Sequence, residues 1–222
     1  MDRKQVRARI QDVGIFPGIR VKTANHAQYA AETLFEAGIS VAEITMTVPD
    51  AIGVIRKLAQ SLPDLVVGAG TVLDKESAER CLDAGARFLT STGLVIEVVE
   101  AALSRDVVAI PGALTPTEVI AAWKSGADFV KIFPTAPFGG ELYIRSLKVP
   151  LPHVNLIAAG GVNPQNATNF IVAGASALGV GVELLPTDAL EKRQYQRIHE
   201  LARRFLGYVR DGRTLSQDRQ AV

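Results

Sequence analysis

Two hydrophobic periods alternate along this chain. Short runs rich in β-branched and other apolar residues recur at 15–21, 41–45, 65–69, 88–90, 107–110, 129–132, 156–158 and 177–180, and each predicts a strand. The stretches between them have helical spacing: Ala27, Ala30, Ala31, Leu34 and Ala37 fall on one helix face, and Gly38 follows as a stop. The same stop recurs in Ala84-Gly85-Ala86, Ser125-Gly126-Ala127 and Ala173-Gly174-Ala175, each closing a helix just before the next strand. Thr115-Pro116-Thr117-Glu118 predicts a capping box with proline at the first helical position, and Asn163-Pro164 predicts a second helix opening of that kind.

Strands that alternate with helices imply parallel pairing, and eight such units in roughly 200 residues fit a closed (β/α)8 TIM barrel of the α/β class. An open doubly wound sheet is the competing architecture, but no Gly-x-Gly-x-x-Gly turn follows the first strand. Residues 1–13 predict an extra N-terminal helix whose Val6, Ile10 and Val13 could plug the lower mouth of the barrel. Residues 211–222 are polar and predict a loosely ordered tail. No linker divides the chain, so 1–222 is expected to be a single barrel domain.

Composition narrows the function. The 24 basic and 23 acidic residues nearly cancel, which gives no support to a nucleic-acid partner. The charged start lacks the apolar core of a signal peptide, and no apolar run reaches membrane-spanning length, so neither secretion nor a membrane partner is expected. The lone Cys81 fits a reducing cytoplasm and, with Ala78 and Leu82 beside it, the buried face of a helix. His26, His153 and His199 are scattered, and no strand end carries paired carboxylates, so neither a metal nor another cofactor is predicted. Trp123 is expected to pack rather than to bind.

Candidate chemistry centres on Lys131, which interrupts the apolar run Ala127-Asp128-Phe129-Val130-Lys131-Ile132-Phe133-Pro134. Lysine is seldom buried without a role, desolvation favours the neutral form of an amine, and a neutral amine can attack a ketone. Side chains alternate along strands, so Phe129, Lys131 and Phe133 share one face, as do Val41, Glu43 and Thr45. If both faces point inward, Lys131 meets Glu43 inside an apolar barrel. That pair is either a self-satisfied salt bridge or a Schiff-base lysine beside a proton-transfer carboxylate. Gly68-Ala69-Gly70-Thr71 would let a ligand approach the backbone beside a hydroxyl. Gly160-Gly161-Val162-Asn163-Pro164 resembles an anion site at a helix N-terminus.

Taken in order, Glu43-Ile44-Thr45-Met46-Thr47, Gly68-Ala69-Gly70-Thr71-Val72-Leu73, Ile110-Pro111-Gly112, Phe129-Val130-Lys131-Ile132-Phe133-Pro134 and Gly160-Gly161-Val162 resemble the 2-keto-3-deoxy-6-phosphogluconate / 4-hydroxy-2-oxoglutarate aldolase family over residues 14–205. The resemblance implies a cytoplasmic, metal-independent class I aldolase, a homotrimer that reversibly cleaves a 2-keto-3-deoxy sugar acid to pyruvate and an aldehyde. Its chemistry would be of the Entner–Doudoroff kind, with a small-molecule keto acid as the only partner. Carried over, Lys131 and Glu43 are the catalytic residues. Arg20, Thr47, Thr71, Phe133, Gly160, Gly161 and Gly181 are the substrate-binding ones.

Departures from the family pattern are specific. Thr47 stands where the phosphogluconate branch has an arginine for the substrate carboxylate, and Arg20 matches instead the arginine of the galactonate branch. At the phosphate end Ala159 and Val182 replace a threonine and a serine, which leaves open whether the aldehyde half is phosphorylated. Two other readings stand beside the aldolase. One is a sugar-phosphate epimerase or isomerase on the same barrel; the other is a catalytically silent barrel that binds keto acids.

Overall fold

The computed structural model describes residues 1–220. One parallel sheet runs through β1 (Ile15–Ile19), β2 (Val41–Thr45), β3 (Val66–Gly70), β4 (Phe88–Thr90), β5 (Val108–Ile110), β6 (Gly112–Ala113), β7 (Val130–Ile132), β8 (Leu156–Ala159) and β9 (Ala177–Val180), in the order β5-β4-β3-β2-β1-β9-β8-β7-β6. Nine segments make eight staves. Pro111 has no N–H to give a neighbour, so the fifth stave breaks there: β5, at the predicted fifth strand, pairs with β4, and the short β6 beyond it pairs with β7. Across that seam Asp128 N–H donates to Ala109 O (3.0 Å), Lys131 N–H to Pro111 O (2.9 Å) and Phe133 N–H to Ala113 O (3.1 Å). The ladder therefore continues around the ring, and the (β/α)8 barrel expected from the alternation is the fold observed.

The helices are α1 (Arg3–Val13), α2 (Ala24–Glu36), α3 (Ala51–Ser61), α4 (Lys75–Asp83), α5 (Ile96–Ser104), α6 (Pro116–Lys124), α7 (Gly140–Lys148), α8 (Ala167–Val172), α9 (Thr187–Glu191) and α10 (Tyr195–Gln220). The predicted stops work by one geometry. After α2, Gly38 adopts φ +97°, its N–H reaches Phe35 O, and Ile39 N–H reaches Leu34 O. The same bonds close α4 at Gly85 and α8 at Gly174. The Thr115 capping box forms, with Glu118 accepting the Thr115 N–H; those contacts hold the Glu118 carboxyl below its ordinary pKa.

Asn163-Pro164 behaves differently from the expectation. The Asn163 side chain accepts the N–H groups of Gln165 and Asn166, which makes a tight turn, and α8 starts only at Ala167.

Inside the barrel Phe16, Val41, Val66, Phe88, Val108, Ile110, Phe129, Ile157 and Ala177 form one apolar cluster, and Val6 and Ile10 of α1 close it from below. Burying each of those two α1 side chains stabilises the fold by about 2 kcal/mol. Arg3 fastens the plug: its Nε donates to both oxygens of Asp128 (3.1 and 3.0 Å), and its guanidinium reaches Gly126 O. α1 is thus the stopper that its sequence suggested.

The C-terminal segment corrects an expectation. Residues 211–220 continue α10 instead of forming a loose tail, while 221–222 lie outside the described residues. Gly212 packs so closely on α8 that a Cβ there would lie 2.7 Å from Ile171 Cβ. Arg213 donates to the carbonyls of Gln11 and Asp12 at the end of α1, where the helix dipole favours a cation. Among the described residues no helix is long and apolar enough to cross a membrane.

Candidate active site

Val41 and Phe129 face the packed interior, and two residues further along the same strands Glu43 and Lys131 form the next layer up. The register sets Glu43 opposite Gly18 and Gly68, and Lys131 opposite Gly112 and Ile157. Lys131 Nζ lies 3.6 Å from Glu43 Oε2, with the side chains only 11% and 3% exposed. Gly70 makes room for that carboxylate, since a Cβ at Gly70 would sit 1.9 Å from Glu43 Oε1. Phe133 places its ring centroid 5.7 Å from Lys131 Nζ and walls the opening above it. The pair borders an open cavity of about 300 Å³.

One side of the opening is polar and tied together. Arg20 follows β1 directly and donates to Thr47 Oγ1 (3.4 Å) and Thr71 Oγ1 (3.2 Å). Thr45 and Thr47 share a hydrogen bond of 2.8 Å between their hydroxyls, and Thr45 Oγ1 also donates to Ile19 O. Thr71 holds φ +59°, a left-handed conformation that costs a non-glycine residue about 1–2 kcal/mol. Strain of that kind persists only where the surroundings enforce it. The structure therefore brings Lys131, Glu43, Arg20 and Phe133 around one cavity, while Thr47 and Thr71 reach it only through Arg20 and Thr47 itself borders a neighbouring hollow. Thr45, which the sequence marked only as sharing a strand face, is the brace that positions Thr47.

At the opposite side lie Gly160, Gly161 and Gly181, with Val162, Asn163, Val182 and Glu183 beside them. The amides of Gly160, Gly161 and Gly181 find no backbone acceptor among the described residues. The expected helix N-terminus is not there, because Asn163 occupies the amides of Gln165 and Asn166 before α8 begins. Sequence reasoning missed Thr135, a fully buried residue. Its hydroxyl has one proton to share between Ile132 O (2.7 Å) and Ala159 O (2.9 Å) and accepts Ala159 N–H (3.2 Å), stitching the ends of β7 and β8. A lone threonine after Phe133-Pro134 gives no periodic signal that would have exposed this. Glu183 was missed too, since nothing in an isolated loop glutamate says that it faces a cavity.

The remaining candidates stay outside the site. Cys81 is buried against Met46, and burial pushes its thiol up to about 11, which fits an inert core residue. Trp123 packs edge-on against His153, and His199 lies against Tyr195. Among the described residues no three of His, Cys, Asp and Glu gather as a set that could hold a metal ion.

The family model described as KDPG and KHG aldolase matches residues 6–201. A KHG/KDPG aldolase of Escherichia coli K12 is 33% identical over 189 residues, covering 85% of this chain and 89% of that protein. A solved 4-hydroxy-2-oxoglutarate / 2-dehydro-3-deoxyphosphogluconate aldolase superposes with a TM-score of 0.82 at 30% identity, covering 92% of this chain and 98% of its own. A KDPG aldolase from Legionella pneumophila, solved with pyruvate captured as a covalent carbinolamine, gives a TM-score of 0.79 at 29% identity over 89% of this chain and 96% of its own.

Proposed function

The chain belongs to the KDPG and KHG aldolase family, Schiff-base carbon–carbon lyases, and we propose that Lys131 is its imine-forming nucleophile and Glu43 its proton carrier. The observation that carries this is the close Lys131–Glu43 pair at 3.6 Å, bordering a cavity above an apolar barrel floor. A pair meant only to stabilise the core would be expected to fill its remaining hydrogen-bond positions. This one faces an open cavity.

Lys131 Nζ adds to the C2 ketone of a 2-keto-3-deoxy acid and expels one water, giving an iminium. The C4 hydroxyl loses its proton, the C3–C4 bond breaks, the aldehyde leaves, and the electron pair moves into the iminium to form an enamine. Protonation at C3 and addition of water release pyruvate and return the amine. Glu43 stands where it can take and give these protons in turn. Arg20, already aimed at Thr47 and Thr71, holds the substrate carboxylate and so replaces the arginine that Thr47 displaces. The relatives' names nominate 2-keto-3-deoxy-6-phosphogluconate and 4-hydroxy-2-oxoglutarate as substrates. A homotrimer working in the cytoplasm completes the proposal. Exposed Phe138, Leu142 and Val149 on and around α7 offer apolar surface that association would cover.

Borohydride reduction with pyruvate, followed by peptide mass mapping, tests the central assignment. A reduced pyruvyl adduct on Lys131, absent from folded Lys131→Ala, is the expected result. No adduct on Lys131 would return the lysine to a structural role.

A further inference from the structure

Charge is unevenly distributed around the cavity. Its two lining cations are Lys131, opposite Glu43, and Arg20, turned by its hydrogen bonds toward Thr47 and Thr71. The wall made by the ends of β8 and β9 carries no lysine or arginine and one carboxylate, Glu183. A dianionic group placed there would gain the amides of Gly160, Gly161 and Gly181 but would share a cavity of about 300 Å³ with that acidic residue.

Neutral donors that could offset the repulsion are occupied or missing. The Thr135 hydroxyl is used between β7 and β8, and the Asn163 oxygen holds two amides of its own turn. Position 182, on the cavity wall, is an apolar valine, 70% exposed, with no hydroxyl to offer. Position 159 is a buried alanine. An uncharged polyol end has the opposite requirements. Its hydroxyls can donate to Glu183 and accept from the glycine amides, while its carbon chain lies along Val182 and Val162.

We infer that the wall formed by Gly160, Gly161, Gly181, Val182 and Glu183 selects a 2-keto-3-deoxy acid whose distal end is an uncharged hydroxyl-bearing chain rather than a phosphate ester, with Glu183 as the specificity-determining residue. This rests on the aldolase assignment of the same site and narrows its substrate, setting aside the phosphate and carboxylate ends of the two substrates that the relatives' names nominate.

The test compares kcat/KM for 2-keto-3-deoxygluconate and for its 6-phosphate, in the parent, Glu183→Gln and Val182→Ser. Glu183→Gln removes the charge and keeps the shape. The parent should favour the unphosphorylated acid at least tenfold. Both variants should shift the ratio at least threefold toward the phosphate ester. A parent that favours the ester, or a ratio unmoved by Glu183→Gln, overturns the inference. Trapping of pyruvate on Lys131 in the same preparations separates the two levels. An adduct with a phosphate preference refutes only the specificity, whereas a folded protein without an adduct refutes the aldolase assignment and this inference with it.

Discussion

Two shielded ion pairs occupy opposite ends of the barrel, and they are built differently. At the bottom, Arg3 and Asp128 meet at 3.0 Å; Asp128 also accepts Ala109 N–H, and Arg3 also reaches Gly126 O. At the top, Lys131 and Glu43 stand 3.6 Å apart, and neither makes another side-chain hydrogen bond among the described residues. The lower pair has its capacity filled and joins a helix to the sheet. The upper pair keeps free valences in a cavity, which is what a group that must exchange protons and form a covalent bond needs. Burial and opposite charge are common to both, so neither property by itself separates structure from chemistry. What separates them is how many of the remaining hydrogen-bond positions the protein itself fills.

The sharpest break between the two pairs comes from Glu43→Gln, which should lower kcat per folded molecule by about 10²–10⁴-fold, read by steady-state kinetics with the folded fraction taken from calorimetry. Gly70→Ala attacks the same pair indirectly. Its methyl must displace the carboxylate that it would otherwise meet at 1.9 Å, and a misplacement of about 1 Å is worth about 10²-fold in kcat. At the other end, Asp128→Asn should cost about 2 kcal/mol in urea unfolding, below the full cost of breaking a buried pair because the Arg3 side chain is 27% exposed. Turnover per folded molecule should stay at the parent level; a large fall would erase the distinction between the ends. The smallest change in stability is expected from the double change Lys131→Met with Glu43→Leu. It removes both upper charges together and should leave stability within about 1 kcal/mol of the parent while abolishing the pyruvate adduct.

Much of this was legible because its causes are local. Strands 41–45, 88–90 and 177–180 show as apolar runs, and the stops at Gly38, Gly85 and Gly174 show because a left-handed turn favours glycine. The Glu43–Lys131 meeting followed from strand periodicity once the barrel was assumed. What stayed hidden has causes that apolar spacing does not record. Asp106 holds φ +52° after α5, and its N–H bonds to Leu103 O as a stop glycine's would, but an aspartate there carries no warning. Residues 211–220 look like a tail because their hold on the protein comes from Ile171 and from carbonyls some 200 positions earlier. The delayed start of α8 reflects competition between an asparagine side chain and a helix for the same amides, and spacing alone does not decide that contest.

The plug at the bottom also governs traffic. Val6 and Ile10 fill the lower mouth, and among the described residues the cavity above Lys131 and Glu43 is bordered by Phe133 and Val182. The water shed when the imine forms must leave past the bound sugar acid, and the water that later frees pyruvate must enter by the same way. Departure of the aldehyde therefore clears the path for the hydrolytic water, and a slow-leaving aldehyde holds up both exits in a queue with a fixed order: aldehyde first, pyruvate last.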